Sequence, residues 1–210
     1  MISRALFTGL ILAGGLGRRM QFEADDDSGP LEKGLALLHG EPLVAHACRA
    51  LSPQVAALRI SANRQAARYA HHAPVIADDP ALGSDLGPLA GVERGLATMD
   101  TPWLAVLPVD VLGVPADMVE RLAKGAKRAG AAAAYATTRA GGDETRAHPL
   151  CMVARADLLD DLRRYLKQGD RKVFLWMQRI GAASVLFDDE QAFDNINTCA
   201  DLARAGGGRT

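Results

Sequence analysis

The chain has 210 residues, 49% of them hydrophobic, enough to bury one sizeable core without disulfides or structural metals. Its formal net charge of −1 offers no basic footprint, which argues against bulk nucleic-acid binding. Cys48, Cys151 and Cys199 are odd in number, far apart and form no C-x-x-C pair, so they are expected to be reduced thiols of a cytoplasmic protein.

The first sixteen residues superficially suit a signal peptide, with an arginine ahead of an apolar run and small residues. Cleavage near Ala13 or Gly15 would remove the one strand that can lead into the glycine-rich loop, so export is not expected. No stretch reaches the ~18 uncharged apolar residues of a membrane span.

Leu6 to Leu12 is an apolar run ending in Gly14-Gly15, the pattern of a buried strand entering a turn. Gln21 to Glu32 is acidic, holds Ser28-Gly29-Pro30, and is expected to be a loop with its carboxylates in solvent. Helical spacing follows from Pro42 to Leu51, with the proline favourably placed at the start. A strand is predicted at Leu58–Ser61, a helix from Arg64 to about His72, and a strand over Pro74–Ala77. A loop to Pro88 leads into a helix over Leu89–Met99.

Trp103 to Leu107 is the most apolar strand and runs into Pro108-Val109-Asp110. A helix from Pro115 to about Arg128 and an alanine-rich strand near Ala131–Ala136 come next. After Gly141 the pattern gives a strand at Leu150–Ala154, helices at Asp157–Lys167 and Arg171–Ile180, a strand at Ser184–Phe187, and a short helix after Asn197-Thr198. One domain is expected, with a nucleotide-binding half over about 1–140 and a smaller elaboration over about 141–210. Strands alternating with helices of ten or more residues predict an α/β fold, a mainly parallel sheet with helices on both faces. Ligands in such sheets sit beyond the carboxyl ends of the strands, here the turns after Leu12, Ala77 and Leu107.

Three features carry chemistry. In Leu12-Ala13-Gly14-Gly15-Leu16-Gly17-Arg18-Arg19-Met20 the glycines remove the Cβ atoms that would keep backbone N–H groups from a phosphate or base, and arginines stand beside them. Alone, the run suits a tight turn with solvated arginines equally well, and it matches neither the P-loop nor the G-x-G-x-x-G pattern. Lys33 could place a point charge over a triphosphate, although most lysines are solvated surface. Asp110 ends the apolar strand, where a carboxylate suits Mg²⁺, which takes few protein ligands; an ordinary turn aspartate is the alternative. Asp78 has the same strand-end position, with Asp79 beside it as a rival. Ser61 or Asn63, after the second strand, could touch the nucleotide or cap a helix.

The segments Leu12-Ala13-Gly14-Gly15, Arg19-Met20 and Lys33-Gly34-Leu35 together resemble the opening signature of the molybdenum cofactor guanylyltransferases. Further similar segments follow in order: Pro42-Leu43 with His46, Ser61-Ala62-Asn63-Arg64 with Tyr69, Asp78, and Gly87-Pro88-Leu89-Ala90-Gly91. Then come Pro108-x-Asp110, His148-Pro149 and Asn195-Ile196-Asn197-Thr198. The matches run from the first strand to the last helix.

This resemblance implies a three-layer sandwich around a Rossmann-like sheet of the nucleotidyltransferase type. It implies transfer of GMP from GTP to molybdenum-molybdopterin with Mg²⁺ as cofactor. It places the nucleotide on Leu12, Ala13, Gly14, Gly15, Lys33, Asn63, Asp78 and Asp110. Asp110 also takes the metal, Arg19 faces phosphate charge, and Asn195 and Asn197 belong to the molybdopterin side. Cofactor-handling proteins or acceptor molybdoenzymes are implied partners, with no nucleic acid and no membrane.

The chain departs from the family pattern in three ways. Glu32 stands where an aspartate is usual, Val109 where a cysteine is usual, and twelve residues separate Met20 from Lys33 where the family has about four. Competing readings are a molybdopterin or other cytidylyltransferase of the same architecture, disfavoured by Ala-Gly-Gly and Lys-Gly-Leu, and a non-catalytic nucleotide-binding adaptor, disfavoured by Lys33 and Asp110.

Overall fold

A computed structural model describes residues 2–14, 32–83, 86–140, 144–189 and 191–207. Gly15 and Arg19, and the acidic insertion up to Leu31, lie outside the described residues.

The chain opens with β1 (Phe7–Leu12), followed by a hairpin of β2 (Leu37–Leu38) and β3 (Glu41–Pro42) that leads into α1 (Leu43–Leu51). Pro42 stands just before the helix, where its fixed φ and missing N–H are harmless, and Leu43, Val44, Ala47 and Leu51 bury one face. Next come β4 (Ala57–Ser61), a single turn α2 (Ala66–Tyr69), β5 (Val75–Ile76), α3 (Pro88–Thr98) and β6 (Trp103–Pro108). The expected helix over Arg64–His72 is a single turn: Gln65 takes a left-handed conformation (φ 50°), which bars a start at Arg64, and the helix ends at Tyr69.

Short β7 (Val111–Leu112) precedes α4 (Met118–Ala129), which ends on Gly130 in the left-handed region (φ 63°). Then follow β8 (Ala133–Arg139), β9 (Thr145–Arg155), α5 (Leu159–Lys167), α6 (Val173–Arg179), β10 (Ala183–Phe187), β11 (Asp194–Asn195) and α7 (Cys199–Gly207).

Seven strands form one sheet in the order β10-β8-β9-β6-β1-β4-β5. All neighbours pair in parallel except β9, which runs antiparallel to both β6 and β8. The sequence-predicted seam near 140 thus falls between two strands that pair with each other, so both halves share one sheet.

Alternation along the strands divides the core. Phe7 and Ile11 of β1 with Ala105 and Leu107 of β6 face α1 and α4. Leu10 of β1 with Leu104 and Val106 of β6 face α3, α5 and α6, where Trp176 is the largest buried side chain. Helices therefore cover both faces, giving three layers. After β5 the chain crosses back to set β6 on the other side of β1, and this reversal opens a crevice at the carboxyl ends of β1 and β6.

Candidate active site

That crevice is a cleft of about 580 Å³. Its floor is the ends of three strands tied together by the backbone: Val109 N–H donates to Leu12 O at 3.0 Å, and Ala13 N–H donates to Ser61 O at 2.9 Å. Leu12, Ala13, Gly14, Lys33, Asn63, Asp78 and Asp110 all line it, as does Ser61. The expected nucleotide residues that the structure describes are thus brought together in one place. Leu86, Pro88, Gly91 and Leu150 add apolar or backbone surface to the walls.

At one end Lys33 Nζ donates to Asp110 Oδ2 at 2.5 Å, with both side chains mostly shielded (13% and 22% exposed). Lys33 opens a short 3₁₀ turn over Lys33–Leu35, and Gly34 within it packs directly under Tyr69. A Cβ on Gly34 would stand 2.7 Å from the Tyr69 hydroxyl, so only glycine lets the lysine-bearing turn sit this deep. At the other end Asn63 grips Asp78 twice: Nδ2 donates to Oδ2 at 2.7 Å, and Oδ1 accepts the Asp78 backbone N–H at 2.9 Å. Asp79 instead caps the following turn, its Oδ1 accepting from Ala81 N at 2.9 Å. Of the two neighbouring aspartates, Asp78 is therefore the one that faces the cleft.

Gly91 fixes the third wall. A Cβ there would collide with Ser61 Oγ and stand 2.8 Å from Leu12 Cδ2, so α3 approaches β1 and β4 closely only because residue 91 has no side chain.

The C-terminal asparagines separate. Asn195 lies in β11, which pairs antiparallel with β7, and lines a second cavity of about 920 Å³ with His39, His46, Asp194 and Arg204. Asn197 instead meets a residue of the first cleft, its Oδ1 accepting from Lys33 Nζ at 3.1 Å. Two devices hold it there. Ile196 N–H donates to Asp110 O at 2.9 Å, and Thr198 and Asp201 form a capping box at the start of α7. Asp201 Oδ2 accepts the N–H groups of Asn197 and Thr198, both at 2.9 Å, and Thr198 Oγ1 accepts from Asp201 N at 3.1 Å. The Asn197 bond above all, then Thr198, lowers the Asp201 carboxyl to about 2. This contribution is complete above the ordinary aspartate range and is lost only as pH falls through about 2.

These contacts change one expectation. Asn195→Ala should leave GTP affinity unaltered, whereas Asn197→Ala, which frees Lys33 from a neutral acceptor, should weaken it about two- to fivefold. Calorimetric titration of both variants checks this; a larger loss for Asn195→Ala would reverse the assignment.

Burial shifts three further titratable groups. Burial raises the Cys48 thiol to about 11 and raises that of Cys151 further, so both free thiols stay protonated at neutral pH. Burial, then Arg146, lowers the His148 imidazole, which hydrogen-bonds Thr138 Oγ1 at 2.9 Å.

Sequence reasoning did not assign Glu32 a role, and it expected the insertion's carboxylates in solvent. Glu32 is instead buried (5% exposed) at the cleft wall and accepts from Arg64 Nε at 2.7 Å. Its acidic neighbours in sequence masked it; the shift from the usual aspartate was the available signal.

Residues 9–181 match the model of the MobA-like NTP transferase domain. The chain is 44% identical over 203 residues to a molybdenum cofactor guanylyltransferase of Bordetella pertussis, covering 96% of this chain and 98% of that protein. It is 41% identical over 207 residues to one of Ralstonia nicotianae, covering 96% and 97%. Among solved structures it resembles a molybdopterin-guanine dinucleotide biosynthesis protein A of Archaeoglobus fulgidus, with a TM-score of 0.69, 26% identity and coverage of 95% and 97%. A 4-diphosphocytidyl-2C-methyl-D-erythritol synthase of Anaerococcus prevotii has the same fold, with a TM-score of 0.71 at 10% identity and coverage of 97% and 96%. With the described nucleotide residues gathered around one cleft and relatives matching over nearly the whole length, the chain belongs to the molybdenum cofactor guanylyltransferase family of MobA-like nucleotidyltransferases.

Proposed function

We propose that this enzyme transfers GMP from GTP to the terminal phosphate of molybdenum-molybdopterin, forming molybdopterin guanine dinucleotide and releasing pyrophosphate. The observation that carries this reading is the near-full-length match to the Bordetella pertussis guanylyltransferase. The cleft supports it, because a lysine–aspartate pair faces an asparagine–aspartate clamp across a space of nucleotide size.

The reaction asks little covalent chemistry of the protein. An acceptor phosphate oxygen attacks the α-phosphorus, the bond to the β-phosphate oxygen breaks, and pyrophosphate leaves. Positioning and charge neutralisation then dominate. Backbone groups of Leu12 to Gly15 take one edge of the nucleotide, and Asn63 and Asp78 hold its nucleoside end. Lys33 and Arg19 neutralise phosphate charge. Asn195 and Asn197 serve the acceptor side, and Asn197 also steadies Lys33.

Asp110 is the residue for Mg²⁺. Lys33 occupies its Oδ2, while Oδ1 has no hydrogen bond or ion pair among the described residues, and no cluster of three or more ligating side chains surrounds it there. One available carboxylate oxygen suits a cation that completes its shell with phosphates and water. Magnesium bound there would neutralise developing phosphate charge.

We place the reaction in the cytoplasm, where GTP is supplied and free thiols persist, with acceptor molybdoenzymes or cofactor-handling proteins downstream. No helix among the described residues is long and apolar enough to cross a membrane.

GTP is expected to bind at least about tenfold more tightly than CTP or ATP, since a wrong base leaves a buried polar group unpaired at a cost of about 1–3 kcal/mol. Calorimetry with Mg²⁺ measures this, followed by pyrophosphate release with molybdenum-molybdopterin. CTP binding as tight as GTP would move the enzyme to the cytidylyl branch.

A further inference from the structure

Glu32 and Arg64 form an ion pair across the cleft wall that none of the roles above uses. The Glu32 side chain is 4% exposed, whereas that of Arg64 is 52% exposed, so the pair has a buried anchor and an open end. Arg64 contributes only Nε, at 2.7 Å from Glu32 Oε1; its two terminal nitrogens make no bond among the described residues. Both residues line the cleft, Arg64 directly after Asn63 and Glu32 directly before Lys33. The pair therefore bridges the nucleoside clamp and the lysine that meets Asp110.

Glu32 Oε2 and the Tyr69 hydroxyl are both sealed from solvent, and neither makes a well-formed hydrogen bond among the described residues. The two groups feel each other: burial first, and the Glu32 charge second, raise the Tyr69 phenol above its ordinary value. Arg64 is the cation placed against this buried carboxylate, and a buried pair of this kind is costly to break from one side. Arg64 in turn is held at Nε and lines the cleft, which leaves its two terminal nitrogens available there. That is the geometry in which guanidinium binds phosphate oxygens through two parallel donors.

We propose that Arg64 is a ligand of the nucleotide's triphosphate and that Glu32 is its positioning residue, the buried carboxylate holding the fork toward the cleft. The assignment rests on the nucleotidyl-transfer reading of this cleft.

The test uses three ligands on the full chain with Mg²⁺: GTP, inorganic triphosphate and guanosine. In Arg64→Lys the ammonium can still satisfy Glu32 but no longer has spare fork donors, so the fold is kept. Its affinity for GTP and for inorganic triphosphate should fall by the same factor, roughly tenfold, as expected for a lost charge-assisted bond. Guanosine binding, followed by saturation-transfer NMR, should not change. Glu32→Gln should reproduce much of the loss, and Glu32→Asp should recover part of it. The double variant Arg64→Lys with Glu32→Gln should lose no more than Arg64→Lys alone, because both act through one contact.

Unchanged triphosphate affinity in Arg64→Lys would overturn the assignment, as would a loss confined to guanosine and GTP, which would make Arg64 a base reader. Fully additive losses in the double variant would overturn the positioning role of Glu32. A parallel titration of the wild type separates this inference from the guanylyl reading. Preference for CTP there would overturn the base assignment, while the triphosphate result for Arg64 would stand on its own.

Discussion

Asp110→Asn should abolish turnover, lowering pyrophosphate release on the order of 10²–10³-fold or more, while leaving the fold intact. The amide preserves volume and can still meet Lys33, but it lacks the charge that a hard cation requires. The local backbone does not depend on the carboxylate. Asp110 anchors the C-terminal segment through its carbonyl, which accepts from Ile196 N, and that bond is blind to the side chain. The melting temperature should therefore shift by only a few degrees, and guanosine should bind as before. The decisive comparison is a Mg²⁺ titration of turnover. Near-normal activity at limiting Mg²⁺ would show that Asp110 is not the principal metal ligand.

The placement of Asp110 was legible because it depends on a local rule: an apolar strand ends, and the next polar residue projects at the carboxyl edge of the sheet. The same holds for Leu12–Gly14 and Asp78, which stand at the ends of β1 and β5. What the sequence hid is non-local. Lys33 and Asn197 are 164 positions apart, and their meeting depends on the two-residue ladder of β7 and β11, too short to show any period. Glu32 and Arg64, 32 positions apart, turn an apparent loop carboxylate into a buried anchor.

The reversal of β9 was hidden for a different reason. A strand covered on both faces has the same apolar pattern whichever way it runs, so burial cannot reveal direction. The connection can. Ala140 N–H donates to Glu144 O at 2.8 Å, closing a link far too short for a parallel crossover. Reading the strand as beginning at Leu150 rather than Thr145 made that link look longer and concealed the hairpin. The polar residues Thr145, Arg146 and His148 caused the error; the first two are exposed, and His148 is buried against Thr138.

The second large effect is on stability rather than chemistry, and it falls on the helix that forms the cleft's third wall. Glu93, on α3 two residues after Gly91, is completely buried (0% exposed) and accepts from Arg163 Nε of α5 at 2.8 Å. Its other oxygen, Oε2, is sealed without a partner, so Arg163 alone compensates the charge among the described residues. Arg163→Ala should therefore destabilise the protein by about 3 kcal/mol, the cost of leaving a buried carboxylate uncompensated, reduced because Arg163 is itself 38% exposed. For a chain of this size that corresponds to a melting temperature lower by roughly 6–12 °C. Charge and lost packing are separable causes, and a second variant distinguishes them. Adding Glu93→Gln to Arg163→Ala removes the orphaned charge while nearly keeping its volume, so it should restore at least about half of the lost stability. Denaturant unfolding of the wild type, the single variant and the double variant measures all three. If the double variant is no more stable than Arg163→Ala, the loss comes from packing between α3 and α5, and the buried pair holds the cleft wall by shape alone.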